Sequence, residues 1–454
     1  MNHSKAAEIF NRDENHVNWH DKALWFVRVK RDQAAKKVKG WEELRSLASA
    51  IKSHTLSNLD QYLIQFESEA GKNNVHVHWA GDADAHNKIV AEILQSHNAK
   101  KVVKSKSMLT EECGLNHYLE NKGIEVVDTD LGERIVQLAK EPPSHIVMPA
   151  IHKKRIEIDE LFHKHLNTKL SGGDEVYLTR EARKHLRQKF LQADAAITGV
   201  NFAVAETGGI VVVTNEGNAD MGVHSTKLHI VCMGLEKIIP KLEHLGIFLR
   251  LLARSATGQS ITAYTSYYKY PKPGNEIHIV IVDNGRSEQL AREDFRSSLY
   301  CIRCGACMNT CPVYRRSGGY SYGSTIPGPI GSVLSPGIDI QKYNSLPFAS
   351  SLCGSCSDVC PVKIDLDTQL FRWRQIITEK AQMGLTKKLI MKTAGYIFSH
   401  PKIYLISSDF ANKLLFRLPK VLINIPFKKW TKKRELPDTP AYTFTEWYKK
   451  NRKI

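Results

Sequence analysis

Long uncharged apolar runs are missing from this 454-residue chain. No stretch approaches the roughly 18 residues that cross a bilayer, and segments such as Ile151 to Leu161 or Gly246 to Leu252 are broken by charge or too short, which excludes integral insertion. The opening residues, Met1 to Asn18, lack the apolar stretch and small-residue cleavage site of an export signal, so a cytoplasmic protein is expected. No G-x-G-x-x-G fingerprint follows a strand-like segment, so a dinucleotide fold of the usual kind is not indicated. Acidic residues are also scarce: 47 Asp and Glu face 64 Lys and Arg, a net charge of +17. The imbalance is concentrated, because Thr386 to Ile454 holds 16 Lys or Arg against 4 Asp or Glu. A charge surplus confined to a tail argues for a docking surface, on protein or on an anionic membrane, rather than for a nucleic-acid groove.

What is present is ample core material, with 42% apolar residues, and a length that calls for two or three domains. Helical periodicity from Asp21 to Phe66 precedes a series of short Val- and Ile-rich strand candidates. These are Val75 to Trp79, Lys101 to Lys104, Ile124 to Asp128, Ile146 to Ala150, Ala195 to Val204, Gly209 to Thr214, His229 to Cys232 and Ile277 to Val282. Alternation of this kind indicates an α/β layer fold. Ala205-Glu206-Thr207-Gly208-Gly209 breaks two apolar runs and predicts a hairpin turn. A helix is expected from Gln289 to Tyr300, an ordered loop or linker through the Gly- and Pro-rich Ser317 to Gly337, and a helix from Leu366 to Gln382.

Seven of the nine cysteines form two groups. Cys301, Cys304, Cys307 and Cys311, followed by Pro312, have the C-x2-C-x2-C-x3-C-P spacing of bacterial ferredoxins; Cys353, Cys356 and Cys360, followed by Pro361, form a shorter second run. Three thiolates two residues apart wrap one corner of a cubane, and the fourth cysteine of each run turns to the neighbouring cluster. The expected sets are therefore Cys301, Cys304, Cys307 and Cys360 for one cluster, and Cys311, Cys353 and Cys356 for the other. Counting back from Cys353 reaches Ser350 where a complete run would begin. The second cluster is thus a 4Fe-4S cluster completed by Ser350 or a non-protein ligand, a 3Fe-4S cluster, or a labile site, with the first preferred. Disulfides do not suit a chain without an export signal, and zinc does not suit this spacing. Cys113 and Cys232 read as small core residues.

The motifs together resemble the lactate utilisation protein B family. The likeness rests on Cys301-Ile302-Arg303-Cys304-Gly305-Ala306-Cys307 through Pro312, on Gly319-Tyr320-Ser321-Tyr322-Gly323, on Pro327-Gly328-Pro329-Ile330-Gly331, and on Leu352-Cys353-Gly354-Ser355-Cys356 through Pro361; upstream it includes Ala205-Glu206-Thr207-Gly208 and Asp283-Asn284-Gly285-Arg286. It implies an α/β lactate-utilisation domain over 1–288, similar to the ribose-phosphate isomerase and CoA-transferase superfamily. An α-helical ferredoxin module with two iron-sulfur clusters would follow over 289–385, then a basic tail over 386–454. The implied function is electron transfer in oxidation of L-lactate to pyruvate, as one redox subunit among partner subunits and not a complete enzyme. A membrane electron acceptor touched peripherally through the tail, around Phe427-Lys428-Lys429-Trp430 and Lys432-Lys433-Arg434, is a further expectation. The family also lacks the eighth cysteine. The competing readings are an iron-sulfur subunit of a glycolate or glycerol 3-phosphate dehydrogenase, and an acyl- or sugar-phosphate enzyme with structural clusters. No residue is identifiable as catalytic; Glu206, Thr207, His224, Asp283 and Arg286 are the polar residues of the first domain to place in the structure.

Overall fold

A computed structural model describes residues 2–380, 385–417, 440 and 442–452. The chain divides into two compact units, Met1–Ile377 and Thr378–Ile454.

The first unit is built on a six-stranded, wholly parallel sheet of order β1-β10-β7-β4-β2-β3. Its strands are β1 (His76–Ala80), β2 (Lys101–Lys104), β3 (Glu125–Asp128), β4 (Ala195–Gly199), β7 (Leu228–Gly234) and β10 (Glu276–Val282). Every residue of β4 and β7 is buried, as a parallel sheet covered on both faces requires. Alternate residues serve opposite layers. Ile230, Cys232, Val280 and Val282 pack with Leu94, Leu115 and Leu119 on one face, while Val231, Met233, Ile279 and Ile281 pack with Leu63 and Phe66 on the other. Cys113 and Cys232 are buried in the first of these layers.

A smaller sheet lies beside it, ordered β8-β5-β6-β9, from β5 (Phe202–Val204), β6 (Gly209–Thr214), β8 (Ile238–Ile239) and β9 (Tyr264–Tyr268). The expected hairpin is β5–β6, paired antiparallel with Val204 opposite Gly209. Gly208 closes its turn at φ +66°, where a Cβ would lie 2.2 Å from the backbone nitrogen of Ala70.

Four expectations need correction. Ala195 to Val204 is two strands in different sheets, broken at Val200 and Asn201. Ile146 to Ala150 is not a strand: the amides of Val147 and Met148 donate to Nδ1 of His145 (3.0 and 3.1 Å), leaving no free ladder there. The helix expected from Gln289 to Tyr300 is a short helix Arg286–Ala291, begun early by Asp283 accepting from the amide of Ser287 (2.7 Å), and a separate 3-10 turn Arg296–Tyr300. The Gly- and Pro-rich stretch contains a helix, Gly328–Ile338. Pro329 sits in its first turn, where a missing N–H is harmless. Gly331 is there for close packing, since a Cβ would lie 1.5 Å from the Ile326 carbonyl oxygen.

The cysteine region does not stand apart from the α/β part. One core cluster joins Cys304, Cys307, Cys311, Cys356 and Cys360 to Phe248, Leu251 and Leu252 of the helix Leu245–Thr257, and to Leu24, Ala48 and Ile51 of the helices Glu14–Lys36 and Trp41–Ser57.

In the second unit the helices Leu385–Ser399, Pro401–Arg417 and Phe444–Asn451 leave Phe398, Ile406, Phe410 and Phe444 exposed. The basic runs from Phe427 to Arg434 lie outside the described residues. Among the described residues, no helix is long and apolar enough to cross a membrane.

Candidate functional site

The two cysteine runs have the same local construction. Arg303 (φ 60°) and Leu352 (φ 54°) are left-handed, as are Gly305 (φ 76°) and Gly354 (φ 75°), each at the corresponding place before a short helix, Ala306–Thr310 or Ser355–Asp358. Non-glycine residues are rarely left-handed, so this is strain held by the surroundings. The Arg303 amide donates to Sγ of Cys301 at 3.4 Å, and the Leu352 amide donates to Oγ of Ser350 at 3.0 Å. Ser350 therefore occupies the place in the second run that Cys301 has in the first. At the far ends, Cys311 Sγ accepts from Tyr314 N (3.5 Å) and Cys360 Sγ from Ile364 N (3.3 Å). The hydroxyls of Thr310 and Ser355, 2.6 Å apart, tie the runs together.

The sulfurs influence one another in two groups that meet at Cys307 and Cys356. Cys304 is next to Cys301 and Cys360 electrostatically, and Cys307 next to Cys301, Cys304, Cys356 and Cys360. Cys356 responds to Cys311 and Cys353. Burial pushes the thiols up, Cys356 to about 12 and Cys360 to about 11, with Cys304, Cys307 and Cys311 raised as well. Such thiols do not ionise by themselves, and iron bound between them would supply the positive charge that makes them thiolates. Backbone amides already aimed at the sulfurs suit the same group. The residues present thus fit iron-sulfur clusters. The second set is nearer solvent: Cys353 is exposed and Ser350 half-buried.

Arginines from the first helices hold this region. Arg31 Nη2 donates to the Val359 carbonyl (2.9 Å), and Arg45 donates to the carbonyls of Asp358 (2.6 Å) and Cys360 (3.0 Å). Arg28 reaches Thr310 and Ser355. On the other side His145 Nε2 meets Asn309 Oδ1 at 3.0 Å, and Tyr314, wholly buried, donates from its hydroxyl to the Ser144 carbonyl (2.6 Å). Arg374 holds the Ser350 carbonyl (2.6 Å).

A cavity of about 560 Å³ opens at the carboxyl edge of the parallel sheet and reaches Arg303 and Cys304. Its rim comes from the segments that follow β2, β3, β4 and β7, the usual ligand position in open α/β sheets. Most of its charges are paired: Lys106 with Asp130 (2.9 Å), Lys153 with Glu141 (2.6 Å), and Arg286 with Glu112 (3.0 Å) and Glu236 (2.6 Å). Glu216 is open to the cavity but walled by protein, which together with the Asp130 carboxylate raises it to about 7. Of the five polar residues singled out in the sequence, only Arg286 lines this cavity. Glu206 accepts from the amide of Leu242 (3.0 Å), Thr207 from the hydroxyl of Tyr267 (2.5 Å), and His224 Nδ1 meets Lys272 Nζ (3.0 Å). Lys237, Ser105 and Glu216 escaped sequence reading because their only signal, a place just beyond a strand's end, needs the strand order.

Comparison with known proteins agrees with this geometry. A LUD domain model matches residues 63–288, a 4Fe-4S dicluster domain model residues 297–364, and the model of the lactate utilisation protein B C-terminal region residues 374–453. The fold and site define an iron-sulfur protein in which a dicluster domain is joined to an α/β LUD domain. Lactate utilization protein B of Bacillus cytotoxicus is 46% identical over 433 residues, 93% of this chain and 91% of the relative; that of Shouchella clausii is 45% identical over 442 residues, covering 94% and 92%. An Escherichia coli protein named "Uncharacterized electron transport protein YkgF" is 42% identical over 436 residues, covering 94% and 91%. The chain belongs to the lactate utilisation protein B family. A solved structure of a DUF162 family protein from Deinococcus radiodurans aligns with 49% of this chain and 98% of its own at 13% identity, with a TM-score of 0.29, too weak a likeness to argue from.

Arg45→Met removes two charge-assisted hydrogen bonds from the Asp358–Cys360 carbonyls. Amide hydrogen exchange over residues 358–364 should accelerate by about tenfold or more in the variant. Unchanged exchange would contradict the anchoring role.

Proposed function

We propose that this chain is the iron-sulfur electron-transfer subunit of a system that oxidises L-lactate to pyruvate. The observation that carries the reading is the pair of similarly built cysteine runs, in a chain 46% identical to a lactate utilization protein B along 93% of its length. Cys301, Cys304, Cys307 and Cys360 hold the first cluster. Cys311, Cys353 and Cys356 hold the second, a 4Fe-4S cluster for which Ser350 is the candidate fourth ligand. Supporting this division are the spacing of the two runs and the nearness of Cys304 to Cys301 and Cys360 and of Cys356 to Cys311 and Cys353, with Cys307 and Cys356 where the two groups meet. When bound, the clusters supply one-electron relay, which a two-electron oxidation needs before its electrons pass on singly.

The protein's own residues give the relay its setting. Arg28, Arg31 and Arg45 bring positive charge to the loops of the second run, and Tyr314 with His145 closes the first run from water. The exposed Cys353 makes the second site the exit towards a partner. The second unit, basic and with exposed aromatic and aliphatic side chains, is the docking element, for partner subunits of the lactate system or for a membrane-bound acceptor touched from the cytoplasmic side. The parallel sheet with a smaller sheet beside it supports reading the first domain as similar to the ribose-phosphate isomerase and CoA-transferase superfamily.

Anaerobic protein mixed with its partner subunits should show reduced-cluster EPR signals on addition of L-lactate but not of glycolate or glycerol 3-phosphate. Reduction by either of the latter in place of lactate would overturn the assignment. Ser350→Cys should slow oxygen-driven decay of the second cluster, and an unchanged rate would count against Ser350 as a ligand position.

A further inference from the structure

The cavity at the sheet's carboxyl edge contains groups that the fold leaves unsatisfied. After the pairs of Lys106 with Asp130, Lys153 with Glu141, and Arg286 with Glu112 and Glu236, one cation on its wall, Lys237, remains without a partner and a second, Arg303, is held only at long range. Lys237 makes no hydrogen bond or ion pair among the described residues; the charges that act on it most are Glu236, Arg303 and Cys301. Arg303 comes no nearer than 3.9 Å to Glu236, and its Nη1 is buried with no partner. Two hydroxyls of the same walls, Ser105 Oγ and Thr214 Oγ1, are likewise buried without partners, and Ser105 is only 3% exposed. Buried polar atoms are almost always hydrogen-bonded in native proteins, so three orphans around one cavity indicate a polar occupant. Lys237 without a partner, with the loosely held Arg303 on the same wall, makes that occupant an anion.

Size and lining narrow the class further. A three-carbon acid displaces about three waters, roughly 90 Å³ at about 30 Å³ each, and would fill a small part of 560 Å³. The remaining wall includes Leu109, Ile135, Ile146, Met148 and Leu252, which suits an aliphatic tail.

We propose that this cavity is the binding site for a 2-hydroxy monocarboxylate, its carboxylate held by Lys237 and Arg303 beside Cys304, and that it accepts acids with aliphatic tails well beyond the methyl group of lactate. The site rests on the reading of the chain as part of a 2-hydroxy-acid oxidation system and adds to it where the acid binds and which acids fit. The unpartnered hydroxyls of Ser105 and Thr214 offer further hydrogen bonds from the same walls. Cys304 contributes to the cavity wall, so a bound acid lies against the loop of the first cysteine run.

The test is isothermal titration of the full, cluster-containing chain, kept anaerobic and without partners, with L-lactate and with L-2-hydroxyhexanoate. The longer acid should bind more tightly, by about fourfold for each buried methylene. Lys237→Met should weaken both acids at least tenfold, with iron content and cluster EPR unchanged, while Lys237→Arg should retain most of the binding. Absence of binding by both acids, or equal binding by wild type and Lys237→Met, would overturn the site. If lactate still reduces the clusters once partners are added but neither acid binds this chain alone, the electron-transfer reading stands and the acid site lies elsewhere.

Discussion

The structure depends on how loops rich in sulfur and unpaired carbonyls are kept inside a core. The Asp358 and Val359 carbonyls have no strand to pair with, and burying them unpaired would cost about 1–3 kcal/mol each; the Cys360 carbonyl accepts from the Lys363 amide (3.1 Å) and from Arg45 besides. Arg31 and Arg45 meet all three. Because those arginines belong to the helices Glu14–Lys36 and Trp41–Ser57, the start of the chain is built into the cysteine region although it is some three hundred residues away in sequence. The shared core of Leu24, Ala48, Phe248 and the cysteines has the same origin. The positive charge that satisfies the carbonyls also lies where bound clusters and their thiolates would place negative charge.

A second consequence is the position of the cavity. Its rim is formed at the carboxyl ends of parallel strands, where chain segments leave the sheet and helix amino ends gather. The left-handed Arg303 turns the first cysteine run so that Arg303 and Cys304 form part of that wall. A cavity of the α/β domain and the loop of the first cysteine run therefore share a surface, which gives a physical reason for the two to occur in one chain.

Much of this was legible in the sequence, because it is encoded locally. The cysteine spacing gave both runs and the vacancy at Ser350, and the hairpin was visible in Ala205 to Gly209. Most parallel strands were found as short runs of Val and Ile. What failed was set by contacts distant in sequence. His145 takes the amides that would have made Ile146 to Ala150 a strand, and the glycines of 328 and 331 serve close packing within a helix, not a linker. β9 has no apolar run, since Tyr264 to Tyr268 faces largely outward. Lys237 carries no local signal, and its lack of partners appears only once the neighbouring acids are seen to be committed to Arg286 and Lys106.

The most direct test of the account is iron and acid-labile sulfide content of the anaerobically purified chain, with low-temperature EPR before and after dithionite. About seven to eight irons per chain, with sulfide in similar amount and reduced signals that interact magnetically, is the predicted result for two adjacent clusters. Zinc in place of iron, or iron without sulfide, would contradict it.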